Sequence, residues 1–172
     1  MKKSINICLC LALAFSLSLN ISAQSTEKEL DQVELVKQWI GTWVAQVGED
    51  SVLHTKVVPL GEGLYLHGEW KTAGKTYYTG HAVFGFTRDK ETIILSGVWE
   101  SGITIQEIGR FVTEDKLAME RFFPDKPNHA VGLGVYDFSQ PDKIIWRWQG
   151  RGAAVTWDPL WKSEATYTKV DD

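Results

Sequence analysis

The spacing of hydrophobic and polar residues changes once along this chain. Between Leu30 and Ile40 apolar residues recur every three or four positions, which is the spacing of one helical face. From Thr42 onward apolar, β-branched and aromatic residues form short runs that are separated by turn-forming residues, as is typical of β-strands. The pattern therefore predicts one short helix near the N-terminus, followed by strands.

Both ends of this helix have sequence signals. Thr26 and Glu29 have the spacing of a capping box, which predicts the helix N-terminus around these residues. Leu30, Val33 and Ile40 would then lie on its apolar face. We expect the helix to end at Gly41, because glycine can adopt the left-handed backbone geometry that is common after a helix.

Ten strands are predicted after the helix, and most of their connections are short and polar. Such links join only antiparallel neighbours, because a parallel return needs a crossover of a dozen or more residues. Since closing the sheet removes its unpaired edges, we predict an all-β fold: a single antiparallel up-and-down β-barrel of nine or ten strands. An open sheet or a sandwich is the alternative. The predicted strands are Thr42–Val47, Val52–Pro59, Leu64–Thr72, Thr76–Thr87, Thr92–Glu100, Ile103–Thr113, Lys116–Phe123, Val131–Phe138, Lys143–Gln149 and Trp161–Lys169.

Two connections, Pro124–Ala130 and Gly150–Leu160, are longer than the others. In a barrel, long connections are suited to surround an open end, where they can contact a bound molecule. We therefore predict that these two segments are loops at the mouth of the barrel. The chain has no internal repeat, low-complexity tract or linker after the first 23 residues, which predicts a single domain.

The first 23 residues have the order of a secretory signal peptide. Lys2 and Lys3 provide positive charge, Ile5–Leu19 is apolar, and the segment ends on the small residue Ala23. The apolar run is shorter than the roughly 20 residues that a membrane span requires. We expect cleavage near Ala23, no membrane span afterwards, and export to the periplasm or outside the cell; an uncleaved anchor is the alternative.

Composition narrows the class of the remaining domain, residues 24–172. Cys8 and Cys10 both lie in the signal segment, so the mature domain would have no disulfide and would be held together by its core. The formal net charge is −4, and loss of Lys2 and Lys3 makes it more negative. This acidic, mixed surface argues against nucleic-acid binding, which needs a basic patch, and against adhesion to anionic membranes. We expect a monomer or a weak homo-oligomer.

Three segments resemble a known superfamily. Gly41-Thr42-Trp43, at the junction of the predicted helix and the first strand, resembles the Gly-x-Trp signature of the calycin superfamily, which includes the lipocalins and the fatty-acid-binding proteins. Gly80–Phe86 and Trp99–Gly102 are similar to the central hairpins of bacterial lipocalin-like domains of unknown function. The resemblance implies a barrel in which Trp43 closes the floor.

The sequence departs from these families at the positions that would define a ligand. Ala165–Lys169 lacks the Arg-x-Tyr pair with which fatty-acid-binding proteins hold a carboxylate. Val135-Tyr136-Asp137 matches the second lipocalin motif only loosely. The resemblance therefore implies the fold and leaves the ligand open.

Tryptophan is unusually frequent, with eight residues in the chain. Trp146 and Trp148 fall on one face of a predicted strand and Arg147 on the other. Indole rings offer flat apolar surfaces that suit a ligand pocket, and Arg147 or Arg110, if inward, could hold an anionic headgroup. In the alternative interpretation the tryptophans fill the core and the arginines are solvated.

Two histidines are predicted to pair across neighbouring strands. His67 and His81 lie equally far from the turn at 73–75, so antiparallel pairing places them opposite each other, with Glu69 on the same face as His67. Such a pair could share a metal ion or a haem iron. A register slip of one residue would separate it, and an outward, solvated pair is the alternative. We predict no bound metal and no other cofactor.

The sequence contains no recognisable catalytic motif. A nucleophile elbow, a zinc-protease helix and a Gly-rich phosphate loop are all missing from it, and we predict no catalytic residue. Glu107 and Glu120 are candidate inward acids on neighbouring strands, and they could act as an acid–base pair only if both face the lumen.

These patterns favour a small-molecule-binding barrel for an apolar or amphipathic ligand. The alternatives are an enzyme or a haem or metal protein on the same barrel, and an interaction domain with a filled core. The candidate ligand-binding residues are Trp43, His67, His81, Glu107, Arg110, Trp146, Arg147 and Trp148.

Overall fold

The computed structural model describes residues 29–122, 130–151 and 159–171. These residues form one short helix, α1 (Gln32–Val36), which continues into a 3₁₀ turn (Lys37–Trp39), and ten strands. The strands are β1 (Gly41–Gln46), β2 (Ser51–Leu60), β3 (Gly63–Thr72), β4 (Lys75–Phe86), β5 (Ile93–Trp99), β6 (Thr104–Thr113), β7 (Lys116–Phe122), β8 (Ala130–Gln140), β9 (Lys143–Arg151) and β10 (Pro159–Val170).

The ten strands form a closed antiparallel barrel. Each strand pairs with its neighbours in sequence, and β1 completes the ring by pairing with β10, with Thr42 opposite Val170. The predicted all-β up-and-down barrel with one short helix is thus confirmed, and all predicted strand ends lie within two residues of the observed ones. Within the described residues, no helix combines the length and apolar character that a membrane crossing requires.

The helix begins later than the sequence predicts. Asp31 caps it, since its Oδ1 accepts hydrogen bonds from the backbone N–H of Val33 (3.1 Å) and of Glu34 (3.0 Å). Glu29 precedes the helix, and Thr26 lies outside the described residues. An aspartate at the N-cap satisfies the first free N–H groups by itself, so the predicted Thr26–Glu29 box does not mark this helix start.

Two tryptophans close one end of the barrel. Trp43 is only 1% exposed, its Nε1 donates to the carbonyl of Trp39 at 2.7 Å, and Lys169 lies over its ring. Gly41 has a φ of +134°, and a Cβ there would lie 2.7 Å from Cε of Lys169, so the start of β1 requires glycine. The ring of Trp39 packs against four aromatic rings from three strands: Phe84, Tyr136, Phe138 and Tyr167.

The helix is fastened to the barrel wall through the buried amide of Gln32. Its Oε1 accepts from the backbone N–H of Phe111 at 2.6 Å, and its Nε2 donates to the carbonyl of Phe111 at 3.3 Å. The amide thereby satisfies two backbone groups of β6, as a neighbouring strand would. This end of the barrel, which contains α1, Trp39 and Trp43, is hereafter called the floor.

The opposite end of the barrel is the mouth. The β1–β2, β3–β4 and β5–β6 turns lie there, because the strands alternate in direction and the floor lies at the start of β1. β7 and β9 also end here, and β8 and β10 begin here. Most of each predicted mouth loop, Pro124–Ala130 and Gly150–Leu160, lies outside the described residues.

Candidate functional site

A cavity of about 100 Å³ lies inside the barrel, above Trp39. Most of its wall is apolar, and a polar cluster occupies one side. The cavity is smaller than the roughly 300 Å³ of the smallest typical ligand pockets, so it suits a small molecule or one end of a larger molecule. The apolar side chains in its wall include Leu53, Leu66, Phe84, Leu95, Trp99 and Ile105.

The polar side of the cavity is built around an ion pair between two neighbouring strands. Glu107 on β6 and Arg121 on β7 are opposite each other in register, and both point into the lumen. Nε of Arg121 donates to Oε1 of Glu107 at 2.6 Å, and Nη2 also contacts this oxygen. Glu107 is 1% exposed and Arg121 is 24% exposed. The carboxylate is therefore buried, whereas part of the Arg121 side chain remains accessible to solvent.

Two tyrosines complete the polar cluster. Tyr136 donates its hydroxyl hydrogen bond to Oε2 of Glu107 at 2.9 Å, and Tyr167 lies beside the pair in the cavity wall. Burial and then the charge of Glu107 raise the pKa of Tyr136 well above its ordinary value. The same causes raise the pKa of Tyr167 to about 12. Both phenols are therefore neutral hydrogen-bonding groups at physiological pH.

The guanidinium of Arg121 rests on two indole rings. It lies 4.5 Å from the ring centroid of Trp148 and 6.0 Å from that of Trp146, and the two indoles stack on each other. Gly132 on β8 makes room for this arrangement, because a Cβ there would lie 2.4 Å from Cζ2 of Trp148. Stacking on indole faces favours the charged guanidinium and fixes its plane.

The charge of Arg121 persists in this enclosed setting. Burial is the largest single effect and disfavours the charged form, but the Glu107 carboxylate and the neighbouring tyrosines together outweigh it and raise the pKa of Arg121 above its ordinary value. The buried Nε1 of Trp39, which lines the same cavity, lacks a hydrogen-bond partner among the described residues. The lumen thus contains a donor that the described protein groups do not satisfy.

Aromatic rings also line the inner wall toward the mouth. Trp70 stacks on Tyr78, and Tyr78 contacts Trp99 edge-on, each with ring centroids 5.5 Å apart. Trp99 lies flat on the strand wall because Gly80 has no side chain; a Cβ there would lie 2.2 Å from Cε3 of Trp99. Aromatic groups therefore extend from the cavity toward the mouth.

The structure places four of the residues predicted from sequence on the inside of the barrel. Glu107 belongs to the polar cluster, and Trp146 and Trp148 form the surface on which Arg121 rests. Trp43 lies in the floor, where Trp39 separates it from the cavity. Only the first three are therefore close to the place where a ligand could bind.

Arg110 and Arg147 lie on the outer face of the barrel. Arg147 is 51% exposed and contacts Glu164 (2.8 Å) and Asp137 (3.7 Å), and Arg110 is exposed on β6. A role as headgroup ligand was conditional on an inward side chain, and that condition is not met. Alternation along each strand defines two faces, but only the closed barrel decides which face is inside.

His67 and His81 pair across β3 and β4 in the predicted register. Their side chains lie on the outer face, with the two Nδ1 atoms 3.4 Å apart. Neither side chain therefore points into the lumen. No group of three or more His, Cys, Asp or Glu side chains in the described parts of the chain is arranged to hold a metal ion.

Sequence reasoning missed Arg121. The sequence made Glu120 a candidate partner of Glu107 on condition that both face the lumen, but Glu120 is opposite Ile108 and faces outward. The signal was present in β7, where Arg121 alternates with Leu117 and Met119, the two residues that are buried. An acid–base pair of Glu107 and Glu120 is excluded, because the barrel wall separates the two side chains.

Comparisons with known proteins support the fold alone. No protein-family model matches the chain, and no curated protein matches it. The crystal structure of Rv2717c from M. tuberculosis aligns with a TM-score of 0.57 and 16% identity, over 83% of this chain and 99% of that one. The structure of EF1p2_mFAP2b bound to DFHBI aligns with a TM-score of 0.34 and 15% identity, over 80% and 94%. The closed ten-stranded barrel fits a calycin-like fold, and membership of that superfamily stays a prediction.

Proposed function

We propose that this protein is an exported barrel that binds a small amphipathic molecule in its lumen, with the polar end of the ligand at Arg121. The observation that carries the proposal is the enclosed Glu107–Arg121 pair at the side of an otherwise mostly apolar cavity. Export rests on the signal-like segment 1–23, which lies outside the described residues.

The cost of enclosing charges supports a functional role for this pair. Taking two ions out of water costs several kcal/mol each, and apolar residues of similar volume often stabilise a fold equally well. Nε1 of Trp39 is a buried donor in the same cavity that the described protein groups leave unpaired. A ligand with a hydrogen-bond-accepting end, such as a carboxylate or a carbonyl, would pair with this donor and with the guanidinium of Arg121. The apolar part of the ligand would lie toward Trp99 and Trp70.

Native mass spectrometry of protein purified from an exporting host tests for a resident ligand. Native and denatured spectra from one preparation are compared, with an absorption scan recorded alongside. Extra mass that is lost on denaturation supports the proposal. A haem band would instead favour a haem protein, and no mass difference together with no binding in the next experiment would favour a filled-core interaction domain.

Binding of an anionic amphipathic fluorophore, anilinonaphthalene sulfonate, tests the role of Arg121. The double variant Glu107→Gln/Arg121→Met removes both charges, because removing arginine alone would leave a buried carboxylate unpaired. We expect its affinity to fall by about ten- to a hundredfold, the equivalent of one charge-assisted hydrogen bond. Arg110→Met, on the outer face of β6, is the matched control and should bind as the wild type does.

Unchanged affinity in the folded double variant would refute the placement of the polar end at Arg121. Displacement of the fluorophore by small carboxylates, compared with their alcohol analogues, then reports whether the ligand end is charged. Circular dichroism of each variant establishes that the barrel is intact before binding is compared.

A further inference from the structure

Three donor atoms meet on the outer wall of the barrel, where β3 and β4 pair. Nδ1 of His67 and Nδ1 of His81 are 3.4 Å apart, and the hydroxyl oxygen of Tyr65 lies 2.6 Å from Nδ1 of His81. We propose that Tyr65, His67 and His81 bind a divalent transition metal ion of the zinc or copper type. This site lies on the opposite side of the barrel wall from the lumen and does not depend on the proposed function.

The spacing of the two nitrogen atoms fits a shared metal ion. Two imidazole nitrogens that each lie about 2.0–2.1 Å from a tetrahedral zinc ion are about 3.3 Å apart. The observed 3.4 Å matches this value without movement of either strand. Imidazole donors suit zinc and copper ions, and a phenolate oxygen is a reasonable third ligand. Metal binding would replace the Tyr65–His81 hydrogen bond and release the phenol proton to water.

A carboxylate behind His67 orients the ring for metal binding. Oε1 of Glu69 lies 3.5 Å from Nε2 of His67, and Lys71 holds the other oxygen of Glu69 at 2.8 Å. A proton on Nε2 that faces this carboxylate leaves the Nδ1 lone pair for the metal, as is common around histidine ligands.

The site is open to solvent on one side. A groove of about 530 Å³ runs over the outer wall and is bordered by Tyr65 and His81 together with Val83, Val98 and Gln106. A metal ion held by two histidines and one tyrosine would therefore keep a coordination position for water or for an oxygen ligand from solution. This openness is typical of exchangeable sites rather than of closed structural ones.

Isothermal titration of tag-free protein with zinc and with copper(II), after treatment with a chelator, tests the site. We expect one ion per chain. His67→Gln and His81→Gln should each weaken binding by at least about 100-fold, and Glu69→Gln, which removes only the orienting carboxylate, by about tenfold. His54→Gln is the matched control, because His54 lies on the outer face of the neighbouring β2, opposite Glu69, and is not one of the three proposed ligands.

Copper(II) provides spectroscopic readouts that a merely structural role would not change. Electron paramagnetic resonance should detect two nitrogen ligands in the wild type and one in each histidine variant. A phenolate-to-copper absorption band should be present in the wild type and lost in Tyr65→Phe. Retained binding in both histidine variants, or an equal loss in His54→Gln or in His129→Gln, a residue outside the described ranges, would overturn the site.

Discussion

Arg121 and Glu107 acquire their chemistry from their surroundings. Both are residue types that usually lie on the surface. Here they form an ion pair with each other, and two tyrosines and two indole rings surround this pair. The energetics of such a pair are asymmetric, because removal of one partner costs about 3–5 kcal/mol while removal of both is often nearly neutral. Stability alone therefore gives little reason for a charged pair at this position, which is why we propose that it serves ligand binding.

At the residue scale, Tyr167 predicts a loss of stability at alkaline pH. Its pKa of about 12 in the folded protein exceeds the ordinary tyrosine value of about 10, since burial disfavours the phenolate. Below pH 10 the neutral phenol of Tyr167 makes its full contribution to the stability of the folded state. This contribution is lost as the pH rises from 10 to about 12, because the tyrosine ionises in the unfolded chain before it ionises in the folded one. Urea unfolding between pH 9 and 12 should show a shallower decline for Tyr167→Phe than for the wild type.

Tyr77→Phe is the control for this experiment. Tyr77 is 76% exposed at the mouth end of β4, so Tyr77→Phe removes a phenol outside the lumen and should keep the steeper alkaline decline of the wild type. If Tyr167→Phe and the wild type lose stability in parallel, Tyr167 does not contribute to the alkaline transition.

At the scale of elements, two glycines of β4 differ in what surrounds them. Gly80 faces the ring of Trp99, whereas a Cβ at Gly85 would meet no atom within 4 Å. Gly80→Ala should lower the free energy of unfolding by about 1–3 kcal/mol, the usual cost of overpacking. Gly85→Ala should change it by less than about 0.5 kcal/mol. Denaturant unfolding of both variants tests this difference. Equal effects would contradict the conclusion that Gly80 is needed for the close packing of Trp99.

Local chemistry explains why the strands were predictable and the inside of the barrel was not. Short polar links such as the turn at 73–75 fix the strand ends, whereas the register of β3 and β4 also depends on a local irregularity. Thr72 pairs with Lys75, and the register shift between Trp70 and Lys71 brings His67 opposite His81, the pairing that the sequence predicts. Alternation separates Trp146 from Arg147 but does not say which face is enclosed. Which face of a strand is enclosed is decided only when the first and last strands pair and close the barrel. For this reason the inward position of Arg121 was not predicted.

At the scale of the whole molecule, closure depends on the final residues of β10. Thr168, Lys169 and Val170 pair with β1, and Lys169 also covers the ring of Trp43. Truncation after Ala165 should leave two unpaired strand edges and therefore cause association or aggregation. Light scattering after size exclusion, together with circular dichroism, measures this outcome. Truncation after Val170, which keeps the pairing, should behave as the full chain does; a truncation after Ala165 that stays monomeric and folded would contradict the closure argument.

The pairing of β1 with β10 also has a consequence for the order of folding events. The other strand pairs join sequence neighbours through short or moderate links, and each closes with a small loss of chain entropy. The β1–β10 pair joins the two ends of the domain and is the contact of highest sequence separation, the kind that slows folding. During synthesis β1 keeps one free edge until the last strand has emerged. The closed lumen, with its charged pair and its aromatic wall, is therefore among the last parts of the structure to form.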